Sequence, residues 1–152
     1  MIDSGQFERF YSDTLSNLEK FAVRLTRSHA AAEDLVQETY YRFLRSQFEG
    51  GSDEERRRYL YRIAVNIARN QWSRRRDETP VEIPITHHEP SDAIDVKRAL
   101  SQMSERDRAL LWLAYAEGYS HREIAGVMSV SALSVRVLLF RARKRFVEMM
   151  QR

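Results

Sequence analysis

From Arg56 to Arg76 the chain carries eight arginines and no acid. Wound as a helix, Arg62, Asn66, Arg69, Asn70 and Ser73 share one face, Arg76 extends it, and Tyr61, Val65 and Trp72 lie beside it. Guanidinium groups neutralise phosphates, carboxamides reach base edges, and flat aromatic rings offer stacking platforms for exposed bases. Like charges crowded on one face repel each other, so the strip points to a polyanion more readily than to a solvated surface with aromatics in the core. A second cluster is acidic. Asp34, Gln37 and Glu38 stand at i, i+3 and i+4, opposite an apolar stripe, where they could pair with arginines of another protein or simply face water.

A third arrangement reads as a helix-turn-helix. Glu123-Ile124-Ala125 lies on a short helix, and Val135 follows Ala125 by ten residues. The small residue lets two helices approach and the apolar one locks the second onto the first; a plain helical hairpin is the alternative. In such a unit the N-terminal part of the second helix enters the major groove, which would present Ser131, Ser134 and Arg136. Arg141, Arg143, Lys144 and Arg145 continue it without an acid before Glu148.

Catalytic constellations are missing. There is no cysteine, hence no thiolate metal site or Cys nucleophile, and His29, His87, His88 and His121 lack ligand spacing. Paired carboxylates in a pocket, a supported Ser/His/Asp set and phosphate-binding glycines are also lacking. The expectation is a protein that is no enzyme and needs no cofactor or metal.

The elements that must position these groups are helical. At 152 residues and 43% hydrophobic composition the chain can build one ordinary domain or two small ones. Apolar spacing predicts helices over Phe7–Arg27, Ala30–Arg45, Glu54–Arg76, Ile94–Gln102, Glu105–Glu117, Ser120–Met128 and Ala132–Met150, the last capped by Ser131. No segment alternates with period two, so the fold class is all-α. All three prolines (Pro80, Pro84 and Pro90) fall in one acidic window, read as a flexible linker over 77–91. Two small helical domains result, 1–76 and 92–152. No apolar run nears ~18 residues and no signal peptide opens the chain, so a soluble, cytoplasmic protein without membrane insertion is expected.

Taken in order, Ala32-Glu-Asp-Leu-Val-Gln-Glu-Thr39, Tyr59-Leu-Tyr-Arg-Ile-Ala-Val-Asn-Ile-Ala-Arg-Asn70 with Arg74-Arg-Arg76, Tyr119-Ser-His-Arg-Glu-Ile-Ala125, and Ser134-Val-Arg136 with Phe140-Arg-Ala-Arg143 resemble the extracytoplasmic-function (ECF) class of bacterial sigma factors. The resemblance runs from about Phe7 to Phe146 and implies conserved sigma regions 2 and 4 joined by a short linker. It implies that Asp34, Leu35, Gln37 and Glu38 dock on the β′ clamp helices of core RNA polymerase, with the β flap as a further contact. Asn66, Arg69 and Asn70, with the preceding loop Phe48–Arg58, would open and read the −10 promoter element as single strand; Arg62, Trp72, Arg74, Arg75 and Arg76 join that surface. Ser131, Ser134, Arg136, Phe140 and Arg141 would read the −35 element as duplex. Synthesis would belong to the polymerase, and an anti-sigma factor joins promoter DNA and polymerase among the expected partners.

Three positions depart from the family pattern. Ser129 sits where such units often have Gly, in a turn commonly needing φ > 0, at a cost of about 1 kcal/mol. Val137 and Leu138 replace a small polar and a basic residue. Leu133, Val137 and Phe140 fall near the outward face among the arginines, where they could meet thymine methyls or be covered by an anti-sigma factor, the first domain or a second copy. An autonomous helix-turn-helix regulator, and an adaptor whose basic helices bind protein acids or RNA, are the competing functions.

Overall fold

The computed structural model describes residues 3–46, 48, 51–72 and 91–151, and all regular structure among them is helical. In the first half, α1 spans Ser4–Thr26, α2 His29–Arg45 and α3 Asp53–Trp72. In the second, α4 spans Ser91–Ser101 and α5 Glu105–Leu111, which continues into a π-helical turn Trp112–Ala116; α6 is His121–Met128 and α7 Ala132–Met150.

Most of the α-helix starts have a local cap. Asp3 accepts from the Gln6 amide at 2.7 Å to begin α1, and Ser28, Ser104, Ser120 and Ser131 cap α2, α5, α6 and α7. A left-handed residue, Arg27 at φ 59°, ends α1. Ser129 ends α6 at φ 57°, the conformation expected of that turn.

The first two helices pair through Phe10 stacked on Phe43, ring centroids 4.9 Å apart, and through the Thr14 and Tyr40 hydroxyls at 2.6 Å. Burial pushes the Tyr40 hydroxyl pKa up to about 12. Leu60, Ile63, Ala64 and Ile67 of α3 are buried, as the stripe predicts. So are Tyr61, Val65 and Ala68, so α3 is covered on more sides than one three-helix bundle would cover. The additional cover comes from the second half. One continuous cluster of buried apolar side chains runs through both, with α6 against α3 and α5 against α1. Phe21 approaches Trp112 at 6.0 Å, and Tyr61 meets Tyr119 edge-on at 6.3 Å.

Arg108 fastens this seam. The side chain is 5% exposed and donates to the carbonyls of Leu25 at 2.9 Å, Met103, and Leu100 at 3.4 Å. One guanidinium thus serves the C-terminal ends of α1 and α4, where carbonyls lack helical partners and the helix dipole is negative. Burial lowers its pKa to about 10, which leaves it a cation at neutral pH.

Candidate nucleic-acid and partner interfaces

The arginines of α3 divide by position. In its first turns Arg56 pairs with Asp53 at 2.7 Å and Arg57 lies 3.6 Å from Glu54, so part of the run is neutralised within the helix. Arg58 reaches across to Glu123 of α6 at 2.8 Å. One Nη of Arg69 donates to the Met128 carbonyl at 2.6 Å, a cation at the negative end of α6 where the chain turns through Ser129. Arg62 and Asn70 are exposed and Asn66 is half-buried. The Trp72 side chain, Ser73, Arg74, Arg75, Arg76 and residues 77–90 lie outside the described residues.

Tyr61 and Val65 correct the sequence expectation of flanking platforms. They are 1% and 0% exposed, because the second half packs on the face that one domain alone would leave open. The Tyr61 hydroxyl donates to Glu117 Oε1, which also accepts from Trp112 Nε1 at 3.4 Å. Burial first, and the carboxylate second, raise the Tyr61 pKa far above the ordinary phenol value. Glu117 reaches this place through the π turn, where its amide bonds to the Trp112 carbonyl at 3.1 Å and adds a residue to the helical repeat.

On α2, Asp34 and Gln37 are exposed and Glu38 is partly so, held by Arg42 at 2.8 Å. With Tyr41, Arg42, Ile67 and Gln71 they line a shallow depression. Leu35 does not belong on that surface. It is 1% exposed and packs in the core, so it supports the acidic face from beneath.

The α6–α7 unit has helix-turn-helix geometry, with an angle of 98° between the two helices. Ser120 and Glu123 form a capping box, their reciprocal bonds 2.9 and 3.1 Å long, and the Ser120 amide holds the Glu123 carboxyl below its ordinary pKa. Val135 is fully buried and Ala125 nearly so, as the packing argument requires. Ser131 Oγ accepts from the Ser134 amide at 3.1 Å and donates to Ser134 Oγ at 2.8 Å. Arg136, Phe140 and Arg141 point into solvent, as do Leu133 and Val137. Leu138 instead packs against the core, so the second departure from the family pattern lies off the exposed face.

One feature had no sequence signal. Between α4, α5, the π turn and α7 runs an apolar groove of about 600 Å³, floored by Val96, Leu100, Leu111, Trp112, Phe146 and Val147 and flanked by Arg24, Arg108 and Arg143. Among the described residues no three His, Cys, Asp or Glu side chains gather as metal ligands would.

Residues 10–78 match the family model "Sigma-70 region 2", and residues 93–146 match "Sigma-70, region 4". The chain belongs to the sigma-70 family. Its ECF relatives include the ECF RNA polymerase sigma factor SigE of Mycolicibacterium smegmatis, 30% identical over 141 residues. That match covers 82% of this chain and 54% of SigE, so the sigma-70 member described here spans about half the length of that relative. RNA polymerase sigma factor CarQ of Myxococcus xanthus is 27% identical over 157 residues, covering 95% of this chain and 88% of CarQ. Among solved structures, the sigma factor RpoE in complex with the anti-sigma factor NepR, from Bartonella quintana, matches with a TM-score of 0.79 at 28% identity. It covers 95% of this sigma-70 chain and 96% of RpoE, so the likeness extends over both halves together.

Proposed function

We propose that this sigma-70 family member is the promoter-specificity subunit of an RNA polymerase, acting in the cytoplasm and leaving RNA synthesis to the polymerase. The observation that carries this reading is the pairing of two separate basic surfaces, one on α3 and one on a helix-turn-helix set at 98°, within one chain that matches both sigma regions. A helix-turn-helix preceded by a region 2 match does not favour the autonomous regulator. The division into 1–76, a 77–91 linker and 92–152 is part of the proposal and rests on the composition break at the three prolines.

Asp34, Gln37 and Glu38 would meet basic residues of the polymerase β′ clamp helices. Arg62, Asn66, Arg69 and Asn70, with Trp72 and Arg74–Arg76, would hold the unwound −10 strand. Melting succeeds when a base captured by the protein gains more than it loses in stacking, a few kcal/mol per step. Ser131, Ser134, Arg136, Phe140 and Arg141 would lie along the −35 duplex.

Arg58 and Arg69 cannot serve DNA phosphates while Glu123 and the Met128 carbonyl hold them. The closed arrangement must therefore part before Arg58 and Arg69 can engage promoter DNA, and a polymerase that binds the open form would favour that engagement. The likeness to RpoE in its NepR complex supports a partner of anti-sigma type that would hold this chain closed.

Transcription from a genomic fragment library by core polymerase, with and without the chain, tests the proposal. Initiation at defined positions only when the chain is present is expected; absence of such starts rejects it. Asp34→Lys with Glu38→Lys should weaken association with core polymerase, and unchanged co-purification would remove the acidic face from that role.

A further inference from the structure

We infer that α7 selects promoters by the thymine methyl groups in their upstream element, through an apolar strip of Leu133, Val137 and Phe140 lying between arginines. The inference rests on the reading of α7 as the duplex-binding helix and adds to it the class of base the helix demands.

The three side chains are 71%, 41% and 61% exposed, although most large apolar residues of the chain are buried. Their spacing of four and then three residues puts them on one face, opposite the buried Val135, Leu139 and Ala142. At 1.5 Å per residue the strip is about 10 Å long, within the ~12 Å width of a major groove and equal to roughly three base steps. Arg136 flanks it on one side, Arg141 on the other, and Lys144 continues it one turn later, all exposed. A second copy of this chain laid on the strip would set arginine against arginine. A phosphate-walled groove does the reverse, because its rims attract the flanking cations while its floor receives the apolar centre.

The floor decides the sequence. Thymine alone presents a carbon group in the major groove, its C5 methyl; guanine presents N7 and O6, cytosine its amino group, and adenine N7 and an amino group. A leucine or valine pressed on those polar atoms strips their water and returns no hydrogen bond, which disfavours them. Against a methyl the same side chain buries carbon on both sides, worth roughly fourfold in affinity per methyl. The Ser131 hydroxyl is committed to the cap, so the polar contacts beside this strip come from the Ser134 hydroxyl and from Arg136 and Arg141 at its edges.

The test uses holoenzyme assembled from core polymerase and the full chain. Duplexes selected from a random library should carry thymines on two or three neighbouring steps of the upstream element. Those duplexes are then remade with deoxyuridine for thymidine, which removes only the methyl, and wild-type binding should fall about fourfold per methyl removed. Leu133→Ala, Val137→Ala and Phe140→Ala combined, all at exposed positions, should keep the helical circular dichroism and bind the thymine and uracil duplexes alike. Equal wild-type affinity for thymine and uracil duplexes would overturn the inference, as would a triple-alanine variant that remains methyl-sensitive. Holoenzyme with no upstream sequence preference at all would overturn the duplex-binding role of α7 itself, which separates the two failures.

Discussion

Glu117→Ala should loosen the closed arrangement without touching any residue proposed to meet DNA. The carboxylate is the acceptor for Tyr61, whose ring is 1% exposed and whose hydroxyl otherwise meets Trp112, an N–H donor that cannot take its proton. Removing that acceptor strands a buried hydroxyl, which costs about 1–3 kcal/mol. Other polar ties across the seam remain, among them the Arg108 bond to the Leu25 carbonyl, which the substitution leaves intact. Arg58–Glu123 is about a third exposed to solvent and contributes less than about 1 kcal/mol, while the Arg69 bond to Met128 is also left intact. The open population should therefore rise by roughly 5- to 150-fold, at about 1.4 kcal/mol per decade. The chain has no cysteine, so Lys20→Cys on α1 and Glu148→Cys on α7 give a unique pair of spin labels at exposed sites. Pulsed dipolar spectroscopy should show a narrow distance distribution for the parent and an added long-distance component for Glu117→Ala. The isolated variant should also bind a single-stranded −10 oligonucleotide more tightly, because Arg58 and Arg69 come free. In the Tyr61→Phe background the same substitution should cost less, since only the long Trp112 Nε1 bond to Glu117 is then lost. Unchanged distances together with unchanged affinity would refute the latch.

Other substitutions probe the scaffold. Arg108→Met keeps the aliphatic stem but leaves the Leu25 and Met103 carbonyls without their donor, a loss of about 2–4 kcal/mol after relief of the buried charge; the melting temperature should fall by roughly 5–15 °C. Ser129→Gly removes the strain of a left-handed serine at φ 57° and should raise stability by about 1 kcal/mol in urea titration, with the helix-turn-helix unchanged. Tyr40 keeps its proton to about pH 12 when folded but loses it near pH 10 when unfolded. Its contribution is therefore complete below pH 10 and lost as pH rises from 10 to about 12, with Tyr61 and Tyr119 shifted in the same direction. Equilibrium unfolding across that window should show a falling midpoint, shallower in Tyr40→Phe.

Much of this architecture is legible in local sequence because its causes are local. Ser131 begins α7 and Ser120 with Glu123 begins α6 through bonds spanning three residues, which any reader of the chain can find. The positive φ of Ser129 follows from the turn a helix-turn-helix requires. The π turn was not legible: Glu105–Glu117 reads as one continuous helix, and the widening at Trp112–Ala116 accompanies the placement of Glu117 against α3, a partner 56 positions away in sequence. Arg58 with Glu123, 65 positions apart, has the same character. Tyr61 and Val65 look like flanking residues in the sequence because periodicity reports that a face is apolar but not how many neighbours will cover it. The candidate site divides along this line. Residue types on α3 and α7 announced a polyanion, while the engagement of Arg58 and Arg69 by α6 depends on tertiary packing that no spacing encodes.

The seam between the halves, where Phe21 meets Trp112 and Tyr61 meets Tyr119, is largely hydrocarbon. Contacts of that kind carry a large heat-capacity change and lose strength as water is chilled. Cold would thus favour the splayed form and warmth the folded-over one, so that the polymerase uptake proposed for this chain would depend on temperature through the apolar seam.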